Sequence, residues 1–314
     1  MRGVALAALL LLVVVGCGGG GSGPTKLDYR GLGATPAIRV TGQDAIPAID
    51  RPRFDRPAAV RGLLPDDDLV VGAVLDGQAH AYPLDLLSFH EVVNDGPLAV
   101  TWCPLCRTAL AFERNVRGRR LTFGVSGLLL HANQVLYDRE SGSLWSQLAS
   151  RAISGRYLGT RLRPVALAQL TWAEWRRAHP DTLVLSIRRD QYASRFTHRY
   201  SYVDARGEEL SSDPYLAYGQ KVNVYYGNAV GRLRGSTLVL GVRTGGVAKA
   251  YPLDLLRRPT SDVVAGHRLR IVPDPDALAA AVFEHGRRVA ATPAYWFAWH
   301  AFYPRSLIYA PKRP

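Results

Sequence analysis

Residues 71–87, VGAVLDGQAHAYPLDLL, recur at 240–256 as LGVRTGGVAKAYPLDLL, with an AYPLDLL core identical in both places. A second echo follows: Thr171-Trp172-Ala-Glu-Trp175-Arg-Arg-Ala-His-Pro180 returns as Tyr295-Trp296-Phe-Ala-Trp299-His-Ala-Phe-Tyr-Pro304. The first pair is offset by 169 positions and the second by 124, so the later copy is about 45 residues shorter between its shared ends. An internal repeat restricts a chain more than composition does, because one local fold must serve twice. At 314 residues the chain can bury a large core, and two unequal copies imply one pseudo-symmetric body rather than two free domains.

Local patterns give each copy its content. Residues 70–75 and 78–82 read as strands about Asp76-Gly77, a pair that tolerates the positive φ of a hairpin turn. Residues 83–87 read as a short helix with Pro83 in its first turn. Residues 98–102, 110–115 and 121–125 are strand-like, the last two joined across 116–120, where Arg117, Arg119 and Arg120 are expected at a solvated hairpin tip. Residues 171–178 predict a short helix with Trp172 and Trp175 on one face and Pro180 as its stop. The repeated Trp and Tyr residues are expected in the core, with a carbohydrate-stacking platform as the alternative, and residues 213–218 read as a turn between copies. The expected class is α+β, rich in short strands and built from two unequal copies of one hairpin-and-helix unit, rather than a doubly wound sheet.

The N-terminus points to a compartment. Arg2 precedes an apolar run over residues 4–15, too short to span a bilayer, and Val14-Val15-Gly16-Cys17 has the form of a bacterial lipobox. The organisation expected is a signal peptide over 1–16, an acylated Cys17 with a flexible Gly-rich tether to residue 36, a long copy with connector over 37–235, and a short copy over 236–314. This makes the chain an envelope lipoprotein, extracytoplasmic and anchored to the membrane by acyl chains. The formal charge of +13 comes from 39 basic residues, nearly all Arg. A tethered basic protein is drawn to anionic headgroups, and with no nucleic-acid motif present, nucleic acid is not an expected partner.

Chemistry is expected only in the long copy, between residues 88 and 147. It holds His90, Glu91, Asn94 and Asp95, the pair Cys103-Pro104-Leu105-Cys106 with Arg107, then Ser126, His131, Asp138, Trp145 and Gln147, whereas the short copy has no cysteine. Two thiolates at this spacing with His90 or His131 make an N/S ligand set suited to copper or zinc. Glu91, Asn94 and Asp95 would orient the His ligand, and Asp138 and Gln147 would cap loops or line a pocket. A four-cysteine site is excluded by count, and a c-type haem by Arg107 where histidine would follow. The competing reading is a thiol–disulfide couple in which Arg107 lowers a thiolate pKa. Gly124-Val-Ser126-Gly127 lacks the spacing of a serine-hydrolase elbow.

The motifs HEVVND, TWCPLCRTALAFER, LTFGVSG, VLYDRESGSLWSQ, TWAEW and the late AYPLDLL, in this order over residues 60–309, resemble the bacterial and archaeal family of domain of unknown function 3179. The resemblance implies no substrate and no catalytic assignment. It places the emphasis on Cys103 with His90, and makes Cys106 and His131 extras of this chain. The function expected is transition-metal binding, copper or zinc, through Cys103 and a nearby histidine. The alternatives are a thiol–disulfide redox protein using Cys103 and Cys106, and a non-enzymatic module with a structural disulfide and a protein or small-molecule partner.

Overall fold

The computed structural model describes residues 37–188 and 229–311. The expected leader, Cys17, the tether and the 213–218 turn lie outside the described residues. In chain order the main elements are β1 Leu69–Leu75, β2 Gln78–Pro83, α1 Leu84–His90, β3 Val92–Asp95, β4 Leu98–Cys103, β5 Thr108–Glu113, β6 Phe123–Leu130, β7 Asn133–Asp138, β8 Leu144–Ser146, β9 Ala168–Thr171, α2 Trp172–Ala178 and β10 Leu183–Leu185. After the undescribed stretch come β11 Leu238–Thr244, β12 Val247–Pro252, β13 Thr260–Val264, β14 His267–Asp274, β15 Ala279–Glu284, β16 Ala291–Tyr295 and α3 Trp296–Phe302. Strand dominates and helices are short, as a β-rich α+β fold requires.

The first half is three stacked sheets. The outer one runs β9-β1-β2-β10 and ends on Phe54–Asp55. Its β1–β2 hairpin turns through Asp76 and Gly77, both at positive φ (48° and 85°), which matches the right-handed twist of the strands it joins. The middle sheet is β3-β4-β5 with Pro164–Val165 at its edge. Every residue of β4 is buried. Alternation along the strand explains how: Leu98, Val100 and Trp102 enter the core shared with Val71 and Trp172, while Ala99 and Cys103 enter the core of Phe123 and Trp145. A sheet covered on both faces reads in sequence as a continuous apolar run, and β4 does so apart from Thr101. The third sheet is Ile38–Arg39, β6, β7, β8 and Arg151–Ala152.

The second half repeats much of this pairing. Its sheet β16-β11-β12 ends on Leu307–Ile308, and this edge strand runs parallel to β12 as β10 runs parallel to β2. Gly72 and Gly241 each lie under an indole, Trp175 and Trp299 respectively, so closely that a Cβ would overlap the ring. Trp175 Nε1 donates to Thr182 at 2.8 Å, and Trp299 Nε1 to Ser306 at 2.9 Å. The sheet β13-β14-β15 closes with Arg287–Arg288, only a turn beyond β15. At the matching place the first half carries β6, β7, β8 and Arg151–Ala152 of the third sheet before Pro164–Val165.

Three expectations change. The helix starts at Leu84, with Pro83 at its N-cap as the last residue of β2, and runs on to His90. The strands near 110–115 and 121–125 do not form one hairpin, because β5 and β6 belong to different sheets. Arg114 fixes the crossover by donating to Leu121 O and Gly96 O, while the Asn94 amide pairs with both backbone groups of Phe123. The hairpin that does form is Asn115–Val116 with Arg119–Arg120, and its Arg117 tip is exposed. Finally, Trp172, Trp175, Trp296 and Trp299 are at most 2% exposed, which rules them out as a sugar-stacking platform. Helix α2 starts on a capping box, in which Thr171 and Glu174 satisfy each other's backbone N–H groups.

Candidate functional site

Strands β4 and β5 are joined by residues 104–107, with Cys103 paired to Thr108. The turn closes by Arg107 N donating to Pro104 O at 3.3 Å, Arg107 standing at φ 55°. The turn between β14 and β15 closes alike, by Leu278 N donating to Pro275 O at 3.2 Å, with Leu278 at φ 49°. There Asp274 takes the place of Cys103, and Ala277 the place of Cys106. Scaffold and thiols are thus separable. The same turn exists without its sulfurs.

Strand alternation sets Thr101, Cys103 and Thr108 on one face of the middle sheet. The third sheet lowers Asn133, from β7, and Gln147, just after β8, onto that face. Asn133 Nδ2 reaches Cys106 Sγ at 3.1 Å, Thr108 Oγ1 at 3.2 Å and Gln147 Oε1 at 2.6 Å. Cys106 Sγ also meets Thr108 Oγ1 at 3.1 Å. Gln147 Nε2 donates to Thr101 Oγ1 at 2.9 Å, and Thr101 passes its own proton to Leu110 O at 2.8 Å. Thr101, Thr108, Asn133 and Gln147 are all fully buried. A polar network so enclosed is worth building only when its members satisfy one another.

The two thiols are not bonded to each other, and their environments push them apart. Burial raises the Cys103 pKa well above its ordinary value, and the neighbouring Cys106 raises it further. Burial would raise Cys106 too, but hydrogen bonds from Cys103, Thr108 and Asn133 outweigh it and lower that pKa. Cys103 therefore keeps its proton, and its thiol lies 3.8 Å from Ala132 O. A cavity of about 160 Å³ opens beside Cys103, with Glu91, Leu105 and Gln134 in its wall.

The remaining expected site residues separate. His90 ends α1 with Nδ1 at 2.6 Å from Pro47 O, and His131 lies edge-on to Phe302, 5.3 Å between centroids. Among the described residues no three His, Cys, Asp or Glu side chains gather as a metal ion would require. Asp95 accepts from Tyr82 and meets His80 Nδ1, both at 2.6 Å, and Asn94 donates to Asp50 as well as to Phe123. Ser126 bonds to Val135 O and accepts from Leu128 N, within the irregular stretch of β6. Asp138 caps the following loop through Ser141 and accepts from Trp145 Nε1 at 2.9 Å. Arg107 turns its charge to Tyr295, and burial lowers its pKa. Sequence reasoning does not single out Thr101, Thr108, Asn133 and Gln134, although period two from Cys103 points to Thr101.

Thiol turn, outer sheet and inserted sheet thus lie in one continuous sequence block. A family model described as a protein of unknown function, DUF3179, matches residues 43–286. The chain belongs to that family. In this DUF3179 protein the match takes in the three sheets of the first half apart from the edge strand Ile38–Arg39, and every residue of the thiol cluster. Comparison with curated proteins and with solved structures gives no significant match to either.

Proposed function

We propose that this DUF3179 protein is a thiol–disulfide redox protein of the cell envelope, with Cys103 and Cys106 as its dithiol. The supporting observation is the Cys106 sulfur at hydrogen-bond distance from Asn133 and Thr108, beside a second thiol whose pKa burial raises. In the exchange, the Cys106 thiolate attacks one sulfur of a disulfide substrate. The S–S bond breaks, and the departing thiolate takes the proton from Cys103. The Cys103 thiolate then attacks the Cys106 sulfur and expels the second thiolate, which takes a proton from solvent. The chain loses two electrons, and the substrate becomes two thiols.

Copper is the second reading. Two adjacent soft sulfurs suit a monovalent copper ion, whereas zinc calls for further donors. The lipobox supports anchoring by acyl chains on Cys17, and among the described residues no helix is long and apolar enough to cross a membrane. The matching sheet orders, Gly–Trp contacts and thiol-type turns support two unequal copies packed as one pseudo-symmetric body.

Equilibration in graded thiol buffers followed by maleimide labelling tests the redox reading. One two-electron transition is expected, lost in both Cys103→Ser and Cys106→Ser. A pair that stays fully reduced or fully oxidised across the range refutes it, and elemental analysis with one copper per chain that blocks labelling selects the second reading. Cys17→Ala should move the protein from the membrane to the soluble fraction.

A further inference from the structure

The cavity beside Cys103 is closed by the segment just before the first sheet. Val40 N and Thr41 N both donate to Gly127 O, at 2.9 and 3.3 Å, and Asp44 N donates to Val125 O at 2.9 Å. Gly127 stands at φ 74° with the Thr41 carbonyl pressed against it, where a Cβ would overlap that oxygen, so only glycine lets the strap lie flat on β6. Val40, Ile46, Leu105 and Leu129 give the walls their apolar character.

One polar side chain breaks that pattern. Gln134 is 2% exposed, and neither Nε2 nor Oε1 meets a hydrogen-bond partner. Native proteins rarely leave both ends of a buried amide unmet. A donor and an acceptor fixed side by side are the complement of another carboxamide. The Gln134 backbone also acts on the Cys103 sulfur, so the amide and the thiol border the same space.

We propose that this cavity binds a small, neutral, largely apolar molecule bearing a carboxamide-like donor and acceptor, held by Gln134 with its remainder against Cys103. A cavity of about 150 Å³ is enough for a benzene ring in an engineered protein, so a volume of about 160 Å³ sets the ligand at the size of a single ring, with its polar group toward Gln134. Glu91 in the wall disfavours anions, and apolar walls disfavour any ion that must shed its water. The inference rests on the thiol reading for what the bound molecule would undergo, but not for binding itself.

Benzamide is the probe, with toluene as its amide-free counterpart. Calorimetry on the reduced full-length chain should give one benzamide site. Gln134→Leu should weaken it by about tenfold, the scale of lost hydrogen bonds in a buried site, while leaving toluene unchanged or tighter. Cys103→Ser should still bind benzamide, which separates loss of this site from failure of the redox reading. In the wild-type protein, saturating benzamide should slow alkylation of Cys103 by iodoacetamide, a readout that needs no variant. Absence of benzamide binding, or binding that neither protects Cys103 nor responds to Gln134→Leu, overturns the proposal.

Discussion

Asn133→Ala would measure how far neutral donors stabilise the Cys106 thiolate. The substitution removes the N–H at 3.1 Å from the sulfur, one of three side-chain donors that lower the Cys106 pKa. A hydrogen bond to a charged group contributes about 1.5–3 kcal/mol, so at about 1.4 kcal/mol per unit the thiol pKa should rise by about one to two units. A second loss does not depend on pH. Asn133 Oδ1 accepts from Leu148 N at 3.0 Å, and leaving that buried N–H unmet costs about 1–3 kcal/mol. Because the folded Cys106 pKa lies below the unfolded one, its thiolate contributes stability above the unfolded pKa, which is lost as pH falls through the folded value. The variant's deficit should therefore be larger at pH 10 than at pH 5 by about 1.4–2.8 kcal/mol, while the raised pKa of Cys103 is common to both proteins. Urea unfolding at the two pH values under reductant, with thiolate absorbance followed by titration, gives both quantities. An equal deficit at both pH values with an unmoved titration would refute the hydrogen-bond account.

Alanine at Gly72 or Gly241 must displace the indole of Trp175 or Trp299 and should cost about 1–3 kcal/mol in urea melts, whereas Gly42→Ala, which meets nothing within 4 Å, should cost almost nothing. Asp85 is pushed up to about 7 by burial and by Asp68. Its carboxyl is easily protonated in the fold, so its penalty is absent below pH 4, grows as pH rises and is complete above 7. Asp85→Asn should be stabilising by about 1 kcal/mol at pH 4.5 and by about 4 kcal/mol at pH 8, and equal effects at the two pH values would count against this burial cause. Thr171→Ala, which breaks the capping box of α2, should lower stability by about 1 kcal/mol in thermal melts.

Local chemistry made part of this legible in the sequence. The Asp76-Gly77 hairpin, the strand before Cys103 and the Trp172/Trp175 face each follow from turn propensity or periodicity, and all three form. The crossover between β5 and β6 does not follow from such rules, because it is set by Arg114 and Asn94 bonding to distant backbone groups. The thiol pair was visible, and the corresponding turn of the second half has Asp274 and Ala277 in its place. The partners of Cys106 were not visible, since Asn133 and Gln147 arrive from an inserted sheet whose docking no local pattern encodes. His90 and His131 are near Cys103 and Cys106 in sequence, but Pro47 O and the Phe302 ring fix their side chains by other contacts. The place of Arg107 next to Cys106 in sequence suggested a thiolate partner, while its left-handed backbone sends the guanidinium to Tyr295.

The thiol turn is also held from the far end of the chain, for Tyr295 N donates to Cys106 O at 3.0 Å. A contact between residues so distant in sequence forms late, because the chain entropy of closing that loop must be overcome first. During refolding, thiol reactivity should therefore outlast the appearance of the β1–β2 hairpin and vanish only when β16 docks. The pair is a built-in clock for the last step of assembly, and pulse alkylation would read it.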